Sequence, residues 1–246
     1  MRRILACGVS VVVLCQPCFG GVRHFGYLYE APTAPPGALE VENYVTGKFG
    51  DDGSGEIDFR HELELGVTNH LQAGIYVANW SYARNPDDHR VHYDTASVEL
   101  IYNFTNPVAD PIGVSVYQEV SGGRRALELE TKLIAQKNFG PLILAYNFTV
   151  ETAWEAAGLS QSAGELQHAL GASYEIGPRL SIGLEMVHEI IFPNWRNSQS
   201  TTDLFIGPNV SYRSNRWFAT LTALAQVTDA AGEPDFQVRL IFGVAL

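Results

Sequence analysis

Carboxylates recur at every second position along several stretches of this chain: Glu40 and Glu42, Glu62 and Glu64, Glu128 and Glu130. On one side of an extended backbone such pairs stand about 7 Å apart, a spacing that hydrolysis of a glycosidic bond can use. The other chemistry open to them is electrostatic, because a wall of like charges concentrates cations beside it. The sequence contains no Gly-x-Ser-x-Gly elbow and no His-Glu-x-x-His pair, the arrangements that would signal a serine nucleophile or a metalloprotease. His61 precedes Glu62, but neighbours on an extended chain point to opposite sides, so His61 reads as an outer-surface residue and not as a base. All three cysteines, Cys7, Cys15 and Cys18, fall in the first eighteen residues, leaving the rest of the chain without a thiolate nucleophile or ligand. No enzyme, no metal site and no cofactor is expected.

These side chains need an element with a period of two, and the chain after residue 38 supplies it. "LILAYNFTV" sets Leu142, Leu144, Tyr146, Phe148 and Val150 against Ile143, Ala145, Asn147 and Thr149; "ALELETKLIA" sets Leu127, Leu129, Thr131 and Leu133 against Glu128, Glu130 and Lys132. Such stretches begin near Leu39, Glu56, Leu71, Tyr93, Ile112, Arg125, Leu142, Glu165, Leu180, Thr202, Arg216 and Asp235, and an amphipathic-helix template fits almost none of them. Each is about 9 to 12 residues long, the reach of a tilted strand that crosses a bilayer. Connections after the second, sixth, eighth and tenth stretches are short, with a somewhat longer "NPVADP" after the fourth, whereas "GDDGSG", "ARNPDDHRVH", "AWEAAGLSQSAG", "FPNWRNSQS" and "DAAGEP" are longer and polar, and only the short "SGG" after the fifth breaks the alternation. An even number of strands with short turns on one rim describes a transmembrane barrel of the bacterial outer membrane. The expected fold is therefore all-β: a closed, antiparallel, up-and-down transmembrane β-barrel of about twelve strands over residues 39–246, monomeric, with both ends in the periplasm.

The start of the chain fits that destination. "MRRILACGVSVVVLCQPCFGG" has a basic beginning, an apolar run of about a dozen residues and small residues at a plausible cut, which is the form of a cleaved secretory signal over residues 1–20. The three prolines of "APTAPPG" then mark residues 21–38 as an extended N-terminal periplasmic arm. The formal net charge of −11 becomes more negative when Arg2 and Arg3 leave, and a chain this acidic is a poor nucleic-acid binder.

Same-face residues must pair across a hairpin. Around Gly177-Pro178-Arg179 this sets Tyr174 opposite Ile182 and Ala172 opposite Leu184; around Ser214-Asn215 it sets Tyr212 opposite Trp217, an aromatic pair at the periplasmic edge of the lipid belt. His168 and His188 face each other on the outer side near the extracellular rim, where lipopolysaccharide phosphates are the expected company. Lumen-lining candidates are Glu40, Glu42, Asp58, Arg60, Glu62, Glu64, Glu99, Glu128, Glu130, Lys132, Glu185 and Arg239. Over the whole inward face acids outnumber bases by more than two to one, and mid-strand Glu62, Glu64, Glu128 and Glu130 are the expected constriction. Two accounts remain open: ion networks that only hold a closed lumen together, or a water-filled path that favours cations. A non-conducting surface-interaction barrel and a periplasmic lipid-binding barrel are the competing functions.

The stretches "YEAPTAPPGALEVENYVT" and "FRHELELGVTNHLQAGIYV" resemble an uncharacterised group of Gram-negative outer-membrane proteins, loosely akin to transporter-type barrels of aromatic-degradation operons. The resemblance implies an outer-membrane location and a barrel, with outer-membrane lipid and lipopolysaccharide as surroundings. The last strand, "FQVRLIFGVAL", resembles the C-terminal signal read by the outer-membrane assembly machinery, which prefers a terminal aromatic where this chain has Leu246.

Overall fold

The computed structural model describes residues 23–50, 53–85, 88–196, 199–228, 230 and 232–246; the signal expected over residues 1–20, with its cysteines, lies outside the described residues. Twelve strands follow in order: β1 (Leu39–Phe49), β2 (Gly55–Gly66), β3 (Leu71–Asn85), β4 (Asp88–Thr105), β5 (Gly113–Gly122), β6 (Ala126–Phe139), β7 (Leu142–Glu155), β8 (Gln161–Glu175), β9 (Leu180–Pro193), β10 (Thr201–Arg213), β11 (Trp217–Gln226) and β12 (Phe236–Ala245). Each pairs antiparallel with its sequence neighbours, and β1 closes on β12, so the sheet is an up-and-down barrel without an edge. Leu39 and Ala245 lie on the same rim, called here the terminal rim, and the other is the distal rim.

Alternation decides which way each side chain points. Along β7 and β9, Ile143, Ala145, Glu185 and Val187 are buried toward the lumen, while Leu144, Ile182 and Leu184 stand exposed on the outside. Burying such a side chain is worth roughly 1.5–3 kcal/mol, so a ring of them left outward is stable only against an apolar surrounding. A closed ladder that satisfies its own backbone groups is the one β-structure such a surrounding admits.

Four sequence expectations change. β4 starts at Asp88 rather than near Tyr93, and β8 at Gln161 rather than near Glu165. Polar residues, which look like loop in sequence, continue the ladder beyond the apolar belt, so most of "ARNPDDHRVH" and both ends of "AWEAAGLSQSAG" are strand. Tyr212 pairs with Ala219 rather than Trp217 because the turn after β10 is longer by two residues. A shift of two keeps the face, so the Tyr212 and Trp217 rings still meet, diagonally, at 5.3 Å. His168 and His188 do pair, but His168 is midway along β8, not at a rim; its Nδ1 shares a 2.8 Å hydrogen bond with the Tyr146 hydroxyl on the outer face.

The last change is the largest. Residues 23–38 do not extend from the barrel as an arm; they fold into its lumen. The segment leaves β1 past Gly66, where an added Cβ would come within 2.0 Å of the Pro35 carbonyl oxygen, and Gly37 and Gly66 exchange backbone hydrogen bonds with this passage. Glycine at 66 is what lets the chain turn inward so close to the wall.

Candidate functional site

The lumen is a wall with a plug. The plug carries few backbone hydrogen bonds of its own, and wall side chains supply the partners that its polar groups need. The Glu185 carboxylate accepts the Gly26 and Tyr27 amides at 2.8 and 2.7 Å and the Asn209 and Thr222 side chains at 2.6 Å each. Asn147 brackets Tyr29, accepting its amide at 2.7 Å and donating to its carbonyl at 2.9 Å. Gln136 accepts from Ala31 N, Gln72 accepts from Ala34 N, and Ser211 and Thr220 donate to the Arg23 carbonyl. One patch is apolar. Phe25 and Leu28 sit among inward Ile143, Ala145, Ala169, Val187, Phe205 and Leu224; Phe25 also takes the space beside Gly171, where a Cβ would lie 2.6 Å from its ring.

Toward the terminal rim, Arg23 of the plug enters a nest of carboxylates. Its Nε lies 2.8 Å from Glu42 Oε2 and its Nη2 3.9 Å from Glu64 Oε2, and its guanidinium lies over the rings of Tyr29 and Tyr44 at 4.8 and 5.5 Å. The Tyr44 hydroxyl donates to Glu42 at 2.6 Å and lies 3.1 Å from Glu62, and Tyr76 donates to Glu99 at 2.8 Å. His24, next along, contacts Glu30 of the plug at 2.8 Å and Glu175 of β8 at 3.4 Å. Burial alone would depress this imidazole's pKa, but the two carboxylates outweigh it and hold the value above the ordinary 6.5.

The inward carboxylates also fall in line. Across successive strands Glu40 pairs with Glu64, Glu64 with Gly74, Gly74 with Glu99, Glu99 with Glu119, Glu119 with Glu130, Glu130 with Glu151 and Glu151 with Glu165. Glu40 is next to the terminal end of β1, whereas Glu165 is near the distal end of β8. Because barrel strands tilt, the row climbs the wall as a ramp from one rim toward the other. Two of its members carry basic partners from the wall, Arg60 on Glu119 at 2.7 Å and Lys132 on Glu130 at 2.7 Å, and Glu64 has Arg23 of the plug at 3.9 Å. Above the plug, half-buried Glu128, Glu151, Glu165 and Glu189 line a vestibule at the distal side, with Lys48 paired to Asp58 at 2.9 Å. Arg239 bonds Thr46 and the Gly26 carbonyl and lies 4.0 Å above the Tyr27 ring.

The sequence-derived lumen candidates thus divide into three groups. Glu40, Glu42, Glu62, Glu64 and Glu99 gather around Arg23, Glu185 and Arg239 hold the plug tip, and Asp58, Glu128 and Glu130 belong to the distal half. Glu62 and Glu64 are not level with Glu128 and Glu130, so the four do not form one constriction: the hydrogen-bonded rows are inclined. Tyr212 and Trp217 lie outside, at the terminal rim. Sequence reasoning missed Arg23, His24, Phe25 and Tyr29, whose signal was the aromatic lead "HFGYLYE". It also missed Tyr76, which faces inward in plain alternation with Gln72 and Gly74; the extra residue Val77, opposite the step from His61 to Glu62, changes the parity only beyond it. Among the described residues no group of three His, Cys, Asp or Glu side chains could hold a metal ion.

The model of DUF6662, a family of unknown function, matches residues 19–238. No curated protein matches the chain. Among solved structures, an outer-membrane channel from Pseudomonas putida F1 superposes with a TM-score of 0.65 at 8% identity, over 88% of this chain and 98% of its own. The β domain of the Bordetella autotransporter BrkA gives 0.54 at 10% identity, over 84% and 98%. The KdgM porin, solved with disordered oligogalacturonate, gives 0.51 at 11% identity, over 85% and 97%. At these identities the likeness is one of fold: this chain has the architecture of outer-membrane barrels.

Proposed function

The chain belongs to DUF6662, and we propose that it is a passive outer-membrane channel for small cationic solutes, held closed by residues 23–38. The carboxylate ramp carries this reading. A barrel whose lumen served only to be filled would pair its inward charges locally, yet here carboxylates occupy seven of eight successive strands in one row, and among the described residues Glu151 and Glu165 have no basic partner at hydrogen-bonding distance. Fixed negative charge along a low-dielectric wall raises the local cation concentration and lowers the cost of cation entry. The plug adds a means of control. It is held mainly by hydrogen bonds that water can replace, and its departure would leave a lined bore. In this reading the leader is removed on export, the C-terminal strand is read by the assembly machinery, and the monomer lies in outer-membrane lipid and lipopolysaccharide with its terminal rim in the periplasm.

The test is the reversal potential of single barrels in a planar bilayer under a salt gradient. Cation preference is expected, reduced in Glu151→Gln/Glu165→Gln and blunted by salt as the screening length falls from about 10 Å at 0.1 M to about 3 Å at 1 M. Anion preference would reject the reading. The filled terminal half of the lumen favours one other reading, a non-conducting structural barrel.

A further inference from the structure

We propose that the nest of Glu42, Glu62, Glu64 and Glu99 is a binding site for solutes that carry a guanidinium group, occupied in the closed protein by the plug's own Arg23. The inference rests on the channel reading for its physiological consequence, but the site itself stands on three observations.

The first is the present occupant. Arg23 makes the contacts a free guanidinium would make, an ion pair with Glu42 and faces stacked toward Tyr29 and Tyr44, which suit a flat, delocalised cation better than a compact ammonium. Tyr29 leaves with the plug, whereas Tyr44 and the four glutamates belong to the wall and remain. The second is a pair of unmet acceptors. Glu62 and Glu99 are 2% and 0% exposed, yet Oε1 of each is buried without a hydrogen-bond partner. Gly74 exposes them to each other: a Cβ there would lie 2.2 Å from Glu62 Oε1 and 3.4 Å from Glu99 Cβ. The wall's own Arg60 is held by Glu119 and the Tyr76 ring, so removing the Arg23 guanidinium would leave buried Glu42, Glu62 and Glu64 short of compensation, a costly state unless another cation enters. The third is access. A cavity of about 470 Å³ lies beside Arg23, lined by Glu40, Glu42, Glu64 and Gln72 of the wall and by Thr33 and Pro35 of the plug, so a small solute can reach the Glu42 and Glu64 side of the nest while the plug is docked.

A guanidinium solute therefore competes with Arg23 and loosens the plug. Leu28 of the plug, 2% exposed against the wall, reports on this when changed to cysteine, because the chain beyond the leader has no other thiol. The probe is methylguanidinium, against sodium at equal ionic strength, with the thiol-labelling rate of Leu28→Cys in folded, detergent-solubilised barrel as readout. Methylguanidinium should speed labelling roughly tenfold over sodium, the worth of one charge-assisted hydrogen bond. In Arg23→Ala/Leu28→Cys, labelling should start fast and lose that selectivity; in Glu42→Gln/Leu28→Cys the selectivity should shrink. Equal acceleration by sodium would mean charge screening alone and would overturn the site, as would no acceleration by either salt. Labelling follows the plug and not a current, so a barrel that failed to conduct would sink the channel reading and leave this result interpretable by itself.

Discussion

Glu185 shows how much one residue can hold. Its carboxylate accepts two consecutive plug amides at 2.7–2.8 Å, and hydrogen bonds to a charged group contribute about 1.5–3 kcal/mol each. Glu185→Ala should shift plug docking by on the order of a hundredfold, read as faster amide hydrogen exchange at Gly26 and Tyr27; unchanged exchange would deny Glu185 this role. His24 gives the plug a pH dependence. The charged groups around it are Glu30 of the plug, Glu175 of β8, Arg179 in the β8–β9 turn and Arg213 of β10, which bonds Glu175 at 3.2 Å. Because its pKa is raised on docking, the charged form stabilises the docked state fully below the ordinary value of 6.5 and loses that contribution as pH rises through the higher value. Leu28→Cys labelling, taken at each pH relative to the same thiol in the unfolded chain because thiolate reactivity itself rises with pH, should thus be slow at about pH 6 and accelerate toward pH 9, and His24→Gln should flatten that ratio; a ratio that stays flat or falls with rising pH would contradict the assignment. Of these residues Glu185 was legible in the sequence, since strand parity alone turns it inward. His24 was not, because nothing local says that a proline-rich lead will meet Glu175.

At the scale of elements, the strands were legible wherever lipid dictates alternation and illegible where it does not. Leu39, Leu71, Leu142 and Leu180 begin strands as expected, each opening an apolar face. The polar starts of β4 and β8 were read as loop, since hydrogen bonding continues there without an apolar face to mark it. The plug escaped for a related reason. The inward apolar residues that receive Phe25 come from β7 through β11, one or two from each, and only the closed barrel brings them together. Orientation follows from the pairing of the rims: Ser160 in the β7–β8 connection should be outside the cell and Asn215 in the β10–β11 turn in the periplasm. A membrane-impermeant thiol reagent on intact cells should label Ser160→Cys and not Asn215→Cys, and the reverse pattern would invert the barrel.

The whole molecule is stable because no strand edge is left open. β12 pairs with both β1 and β11, so deleting Val238–Leu246 uncovers two edges at once, and unpaired backbone groups cannot remain in hydrocarbon. That truncation should fail to insert, whereas the complete barrel should survive cold detergent and change its gel migration only after boiling. Loss of residues 21–38 should spare this behaviour, because the plug adds nothing to the ladder. The central claim, that an acidic bore is closed by its own N-terminal segment, is therefore best tested by single-channel recording of the full-length barrel beside a variant lacking residues 21–38, both shown to be folded by heat-modified migration. The account predicts low, intermittent current from the first and steady, cation-selective current from the second. A folded, plug-free barrel that passes no current, or that prefers anions, would contradict it.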